Sequence, residues 1–94
     1  MRIRWTNIAA NDLASIQDHI AKEDPKAAYA ITQIIWSAVQ CLSKYPNMGR
    51  AGRIKSTREL LISHTPYIAA YRKKEANIEI LTIFHSARKW PENF

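Results

Sequence analysis

A chain of 94 residues, 47% apolar and carrying a net charge of +6, has room for one core and is too apolar for a disordered tail. No stretch approaches the roughly 20 apolar residues that span a bilayer, and the N-terminus lacks the apolar run of a signal peptide, so a soluble, cytoplasmic protein is expected. The lone Cys41 excludes an internal disulfide, and two glycines, Gly49 and Gly52, argue against a Gly-rich phosphate loop.

Ile3 and Trp5 alternate with Arg2 and Arg4 in a short first strand. Thr6 or Asn7 then caps a helix over about residues 7–23, on which Ala9, Leu13, Ile16 and Ile20 recur at helical spacing. Asp12 sits near its positive end. Asp24-Pro25 restarts the chain as a second helix, Asp24 as cap and Pro25 at the first helical position, where no N–H is needed. Its stripe is Ala28, Ile31, Ile35, Val39 and Leu42, widened by Ile34 and Trp36; Pro46 stops it near Tyr45. Cys41 reads as a small core residue, and Tyr29 and Trp36 as packing residues.

Residues 46–57 form a basic loop in which Gly49 and Gly52 allow turns. Residues 58–64 and 67–72 read as strands joined across Thr65-Pro66. A polar turn at 73–77 leads into 78–85, the strand richest in β-branched residues. The expectation is an α+β fold over a single domain, 1–94: an antiparallel two-helix hairpin on one face of a mainly antiparallel four-stranded sheet, in the order βααβββ.

The last strand alternates Ile78, Ile80, Thr82, Phe84 against Glu79, Leu81, Ile83, His85, so both faces are partly apolar. Two helices cover one face. Leu81 and Ile83 on the other call for cover from the tail, through Trp90, or from a partner protein. The charge is also uneven. Residues 1–45 hold five Lys/Arg and four Asp/Glu, whereas residues 46–94 hold nine and four. Such a basic half points to an acidic partner, a nucleic acid or a protein segment, or serves solubility alone.

The second half contains Pro46-x-x-Gly49-Arg50, Thr57-Arg58-Glu59-Leu60, Pro66-Tyr67-x-x-x-Tyr71-Arg72 and Ile80-Leu81-x-x-x-His85-x-x-Arg88-x-Trp90-Pro91. Upstream stand Trp5, Asp12-Leu13, Ile16 and Pro25-x-Ala27-Ala28. In this order the series resembles the RelE/ParE toxin superfamily over essentially the whole chain, and its His-x-x-Arg-x-Trp-Pro ending resembles the ParE-like branch. The resemblance implies two helices on an antiparallel sheet, and a cognate antitoxin that wraps the toxin in a hetero-oligomer. It also implies one of two targets, DNA gyrase for ParE-like members or ribosome-bound mRNA for RelE-like nucleases.

A nuclease needs an acid or base and cations for the phosphorane charge. Here His85 would fill the first role and Arg58, Arg72 and Arg88 the second. RelE-type members carry lysines near the second strand and an aromatic, often tyrosine, after the last. This chain has Lys55 but no tyrosine beyond Tyr71. The ParE-like reading needs no chemistry of the chain's own and makes Arg50, Arg53, Lys55, Arg58, Arg72, Leu81, Ile83, His85, Arg88 and Trp90 target- or partner-binding residues. Plainer roles stand beside these: Arg58 and Glu59 as cross-strand or local ion-pair partners, a satisfied strand-end His85, a solvated rim of loop cations. A non-toxic nucleic-acid-binding module is the third class, although the cations sit on predicted loops and strands rather than on a recognition helix. His19 and His64 are isolated and no metal-ligand spacing occurs, so neither metal nor cofactor is expected.

Overall fold

Thr6 ends the first strand and starts the first helix with the same side chain. Its hydroxyl accepts from the Ala9 N–H (3.2 Å) and so caps α1 (Asn7–Ala21). It also donates to the Ile80 carbonyl (2.8 Å), and the Thr6 N–H donates to that same oxygen (3.2 Å). Asp24 caps α2 (Pro25–Gln40) through the Ala27 N–H, with Pro25 at its start. The computed structural model describes residues 1–88 and Trp90.

The strands are β1 (Arg2–Trp5), β2 (Arg50–Ala51), β3 (Arg58–Leu61), β4 (Tyr67–Lys74) and β5 (Asn77–His85). They form one sheet in the order β1-β5-β4-β3-β2, with β1 parallel to β5 and the other pairs antiparallel. The α+β class is as expected, but the sheet has five strands rather than four. The added strand is the two-residue β2 inside the basic loop. Both its residues are exposed and it is made by pairing Arg50 with Glu59 and Ala51 with Arg58. No alternation within two residues announces such a strand.

Both helices lie on one face. Ile35, Val39 and Leu42 from the α2 side meet Leu60, Ile62, Ala69, Tyr71, Ile78, Ile80 and Ile83 from the sheet side, with Ala9 of α1. The helical stripe therefore buries as its spacing predicted, but its margins do not. The helix ends at Gln40 and gives way to a single 3₁₀ turn (Cys41–Ser43), which rotates Cys41 out to solvent while Leu42 turns in. Tyr29 is 66% exposed. Trp36 is 45% exposed, one ring face stacked on Trp5 at 5.8 Å.

A β-bulge revises the reading of the last strand. Tyr71 pairs with Ile80 but Ala70 pairs with Thr82, so Leu81 is the extra residue. The inward-outward alternation slips there. Ile78 and Ile80 face the helices, and so does Ile83, three positions on rather than two or four. Asp12, one and a half turns beyond Thr6 on α1, closes the irregularity. Its Oδ2 accepts from the Thr82 hydroxyl and from the Ile83 N–H (3.0 Å). The N-terminal half of α1 is thus joined to β5 across residues 80–83 by polar bonds as well as by packing.

Among the described residues no helix is long and apolar enough to cross a membrane.

Candidate functional site

The residues singled out in the sequence fall into three places. The first is the sheet face away from the helices. Leu60 faces the core, so its neighbour Glu59 faces the other way. Glu59 is buried, and its carboxylate is shared: Oε1 accepts from Arg50 Nε (3.0 Å) and Nη2 (2.9 Å), and Oε2 accepts from the Trp90 indole N–H. The Trp90 ring lies 6.1 Å from that of Phe84. A buried carboxylate is tolerable here because a cation and a fixed donor complete its hydrogen bonds. Trp90 therefore docks on this face within the chain. Leu81, 4% exposed, and Ile83, 3% exposed and turned toward the helices by the bulge, present no open apolar patch. Of the cross-strand and local ion pairs open to Glu59, the cross-strand one forms, with Arg50.

Arg72 lies on the same face, paired with Glu79 across β4–β5 at 2.7 Å. The Arg72 hydrogen bond, helped by the charges of Arg72, Lys74 and Arg4, holds the Glu79 carboxyl below its usual range. Removing Arg72 is expected to return the Glu79 titration toward the ordinary carboxylate range, read by NMR from the side-chain carboxyl. The pair is at the surface, so the fold should barely notice. The sign of the linkage is that of a depressed acid: what stability the pair gives is present above the unfolded-state pKa and is lost as pH falls through the folded one.

The second place is the loop between the 3₁₀ turn and β3. Tyr71 is fully buried and its hydroxyl holds this loop, accepting from the Gly49 N–H (2.9 Å) and donating to the Pro46 carbonyl (2.8 Å). Arg58 Nη1 donates to the Gly49 carbonyl (2.8 Å). Neither glycine has positive φ; the positive-φ positions are Ser56, His64 and Glu75. At Gly49 the requirement is space, since a Cβ would lie 2.8 Å from both the Glu59 carbonyl and the Tyr71 ring. The loop is thus pinned at its root while Arg53 and Lys55 stand at its tip, exposed and, among the described residues, without an ion pair.

The third place is the end of β5. The His85 ring meets Tyr67 edge to face at 5.7 Å, and its Nδ1 accepts from the Ala87 N–H (3.0 Å), which puts the ring proton on Nε2. Arg88, exposed, follows one turn later, its N–H on the His85 carbonyl (2.9 Å).

The candidate nuclease set converges only in part: His85 and Arg88 line one cleft against α1, while Arg58 and Arg72 lie elsewhere. Arg58 lies opposite Tyr71, and His85 opposite Tyr67. Four strand residues separate those rows, about 13 Å along the sheet before the strands between are counted. Arg72 is one residue further and on the opposite face from His85, about 17 Å away along the strand. Among the described residues no group of three His, Cys, Asp or Glu is placed to hold a metal ion. The sequence alone did not show that Glu59 and Tyr71 organise this surface; the pairing of Arg50 with Glu59 depends on a strand too short to read.

The family model for the ParE toxin of the type II toxin-antitoxin system, parDE, matches residues 3–90. The Y4kP protein of Sinorhizobium fredii is 47% identical over 91 residues, 97% of this chain and 94% of that one. Toxin RelE2 of Caulobacter vibrioides is 32% identical over 87 residues, 93% of this chain and 97% of the other. Among solved structures, a chain of the chromosomal ParDE TA system from P. aeruginosa superposes with a TM-score of 0.84 at 32% identity, covering 90% of this chain and 95% of its own.

Proposed function

The chain belongs to the ParE toxin family of type II toxin–antitoxin systems, and we propose that it is a cytoplasmic toxin that inhibits DNA gyrase and is neutralised by a cognate antitoxin in a hetero-oligomer. In this reading residues 1–94 act as one unit and the chain performs no bond-breaking chemistry itself. The observation that carries it is the separation of His85 from Arg58 and Arg72. A ribonuclease needs its proton-transfer group and its phosphate-binding cations around one scissile bond, within hydrogen-bond reach. Here Arg58 and Arg72 each lie more than one side-chain length from His85, Arg72 on the opposite face, and Arg88 alone of the three shares its cleft. Arg53, Lys55 and Arg88, which have no ion pair among the described residues, are left for contacts with the target or with the antitoxin, and Arg50, Arg58 and Arg72 shape the surface that carries them. The ParDE assembly named for the P. aeruginosa structure supports an antitoxin partner.

Induced expression in cells separates the targets. Gyrase poisoning is expected to produce chromosomal double-strand breaks while labelled methionine is still incorporated, and His85→Ala is expected to arrest growth as the parent does. An immediate stop of translation without DNA breaks, relieved by His85→Ala, would instead assign ribosome-dependent mRNA cleavage.

A further inference from the structure

Along the chain the excess of positive charge sits in residues 46–94, but the fold adds to it from the other end. β1 lies parallel to β5 at the edge of the sheet, and two rows of residues run across β1, β5 and β4: Arg2, Asn77 and Lys74, then Arg4, Glu79 and Arg72. We propose that these rows, on the sheet face away from the helices, form a platform for the phosphate backbone of duplex DNA, bound without regard to sequence. The proposal goes beyond the toxin reading and rests on its gyrase target only in choosing DNA over double-stranded RNA.

All six positions share the outer face. Ile3, Trp5, Tyr71, Ile78 and Ile80 pack toward the helices, and the six alternate with them along their strands. Arg2, Arg4, Arg72 and Lys74 are exposed. From β1 to β4 each row spans about 10 Å, and the rows lie about 7 Å apart along the strands. Arg72 is engaged by Glu79, whereas Arg2, Arg4 and Lys74 have no ion pair among the described residues. At the neighbouring β4–β5 turn Lys73 and Glu75 offset each other. The rows therefore keep four cations against one carboxylate. Glu79 registers the field of both: the Arg72 hydrogen bond, then the charges of Arg72, Lys74 and Arg4, outweigh desolvation and hold its carboxyl below the usual range.

Uncompensated charges this close repel one another, and a ligand that supplies several negative charges at regular spacing relieves them together. One acidic side chain meets one cation, whereas a nucleic-acid backbone brings a phosphate about every 3.4 Å along each strand. Arginine, three of the four cations, fits a phosphate with its paired N–H donors. None of the six side chains is an aromatic ring on which an unpaired base could stack, so the platform suits a duplex rather than a single strand. The rows cross three strands of the sheet, wider than the two-stranded ribbon that a major groove admits, so contact is made to phosphates rather than to base edges.

The test follows the fluorescence anisotropy of a labelled DNA duplex of about 20 base pairs as the purified full chain is added, over a series of salt concentrations. The logarithm of the binding constant is expected to fall linearly with the logarithm of the salt concentration. Arg2→Gln combined with Arg4→Gln is expected to reduce that slope by about two and to weaken binding about tenfold or more at about 0.1 M salt. Lys74→Gln, on a different strand, is expected to reduce the slope by about one. Lys22→Gln combined with Lys26→Gln removes the same charge from exposed positions on the helix side and is expected to leave the slope as in the parent. A slope that neither the β1 pair nor Lys74→Gln changes, or an equal loss with the helix-side pair, would overturn the assignment. So would tighter binding of the single strand, of double-stranded RNA or of poly-glutamate than of the duplex. No readout involves gyrase or toxicity, so a failure here is distinct from a failure of the toxin reading.

Discussion

Asp12→Ala lowers the stability of the fold by about 2–4 kcal/mol, because one carboxylate serves two groups that have no other described partner. The bulge at Leu81 breaks the β4–β5 ladder, and the Ile83 N–H turns to Asp12 Oδ2 at 3.0 Å. The Thr82 hydroxyl, buried, donates to the same oxygen. With alanine both donors lie beneath α1 with nothing to accept them. Asp12→Asn keeps an acceptor oxygen and is expected to recover roughly half the loss. Urea denaturation of the three proteins checks this, with the midpoint falling in the order parent, Asn, Ala at constant slope. A Thr82→Val change made in the Asp12→Ala background should cost less than it does in the parent, since the partners are coupled. Additive losses would mean that Asp12 acts only through the helix.

Tyr71→Phe is the second large effect, about 2–3 kcal/mol, or a melting temperature lower by roughly 10 °C in a chain of this size. The ring stays, so the packing is unchanged. What goes is the acceptor for the Gly49 N–H and the donor to the Pro46 carbonyl. The loss acts on the basic loop, which should exchange its amide protons faster at residues 46–52 while the helices do not. The same hydroxyl gives the fold an alkaline limit. Burial raises the Tyr71 phenol above its ordinary value of about 10, against the opposing Gly49 hydrogen bond and the charge of Arg58. A raised acid contributes stability that is complete below the unfolded-state pKa and is lost as pH rises through the folded one. The parent should therefore lose stability faster than Tyr71→Phe above about pH 10. Parallel curves in that range would contradict the burial of this hydroxyl.

Local signals read well where local physics decides. The Thr6 and Asp24 caps, Pro25 at the start of α2 and the Ile35–Val39–Leu42 stripe depend on neighbours a few residues away, and each is found as the sequence describes it. The alternation of β5 was legible as far as Ile80. Beyond it the bulge, set by the pairing with β4 and by Asp12 some 70 residues distant, moved Ile83 under the helices. Cys41 followed the helical pattern one step too far, because the chain tightens into a 3₁₀ turn there. At the candidate site the sequence supplied the cations but not their grouping. Whether Arg58 meets His85 depends on strand register and on which face each residue takes, and neither is written near them in the chain. The two glycines read as turn formers, yet Gly49 is needed for its closeness to Tyr71, a contact 22 residues away.

The most direct test mixes the purified, antitoxin-free chain with DNA gyrase, ATP and supercoiled plasmid, then denatures the protein and resolves the DNA. Linear DNA that depends on the chain, and persists with His85→Ala, is the expected result. A folded chain that leaves the plasmid and its supercoiling untouched would contradict a gyrase-directed toxin.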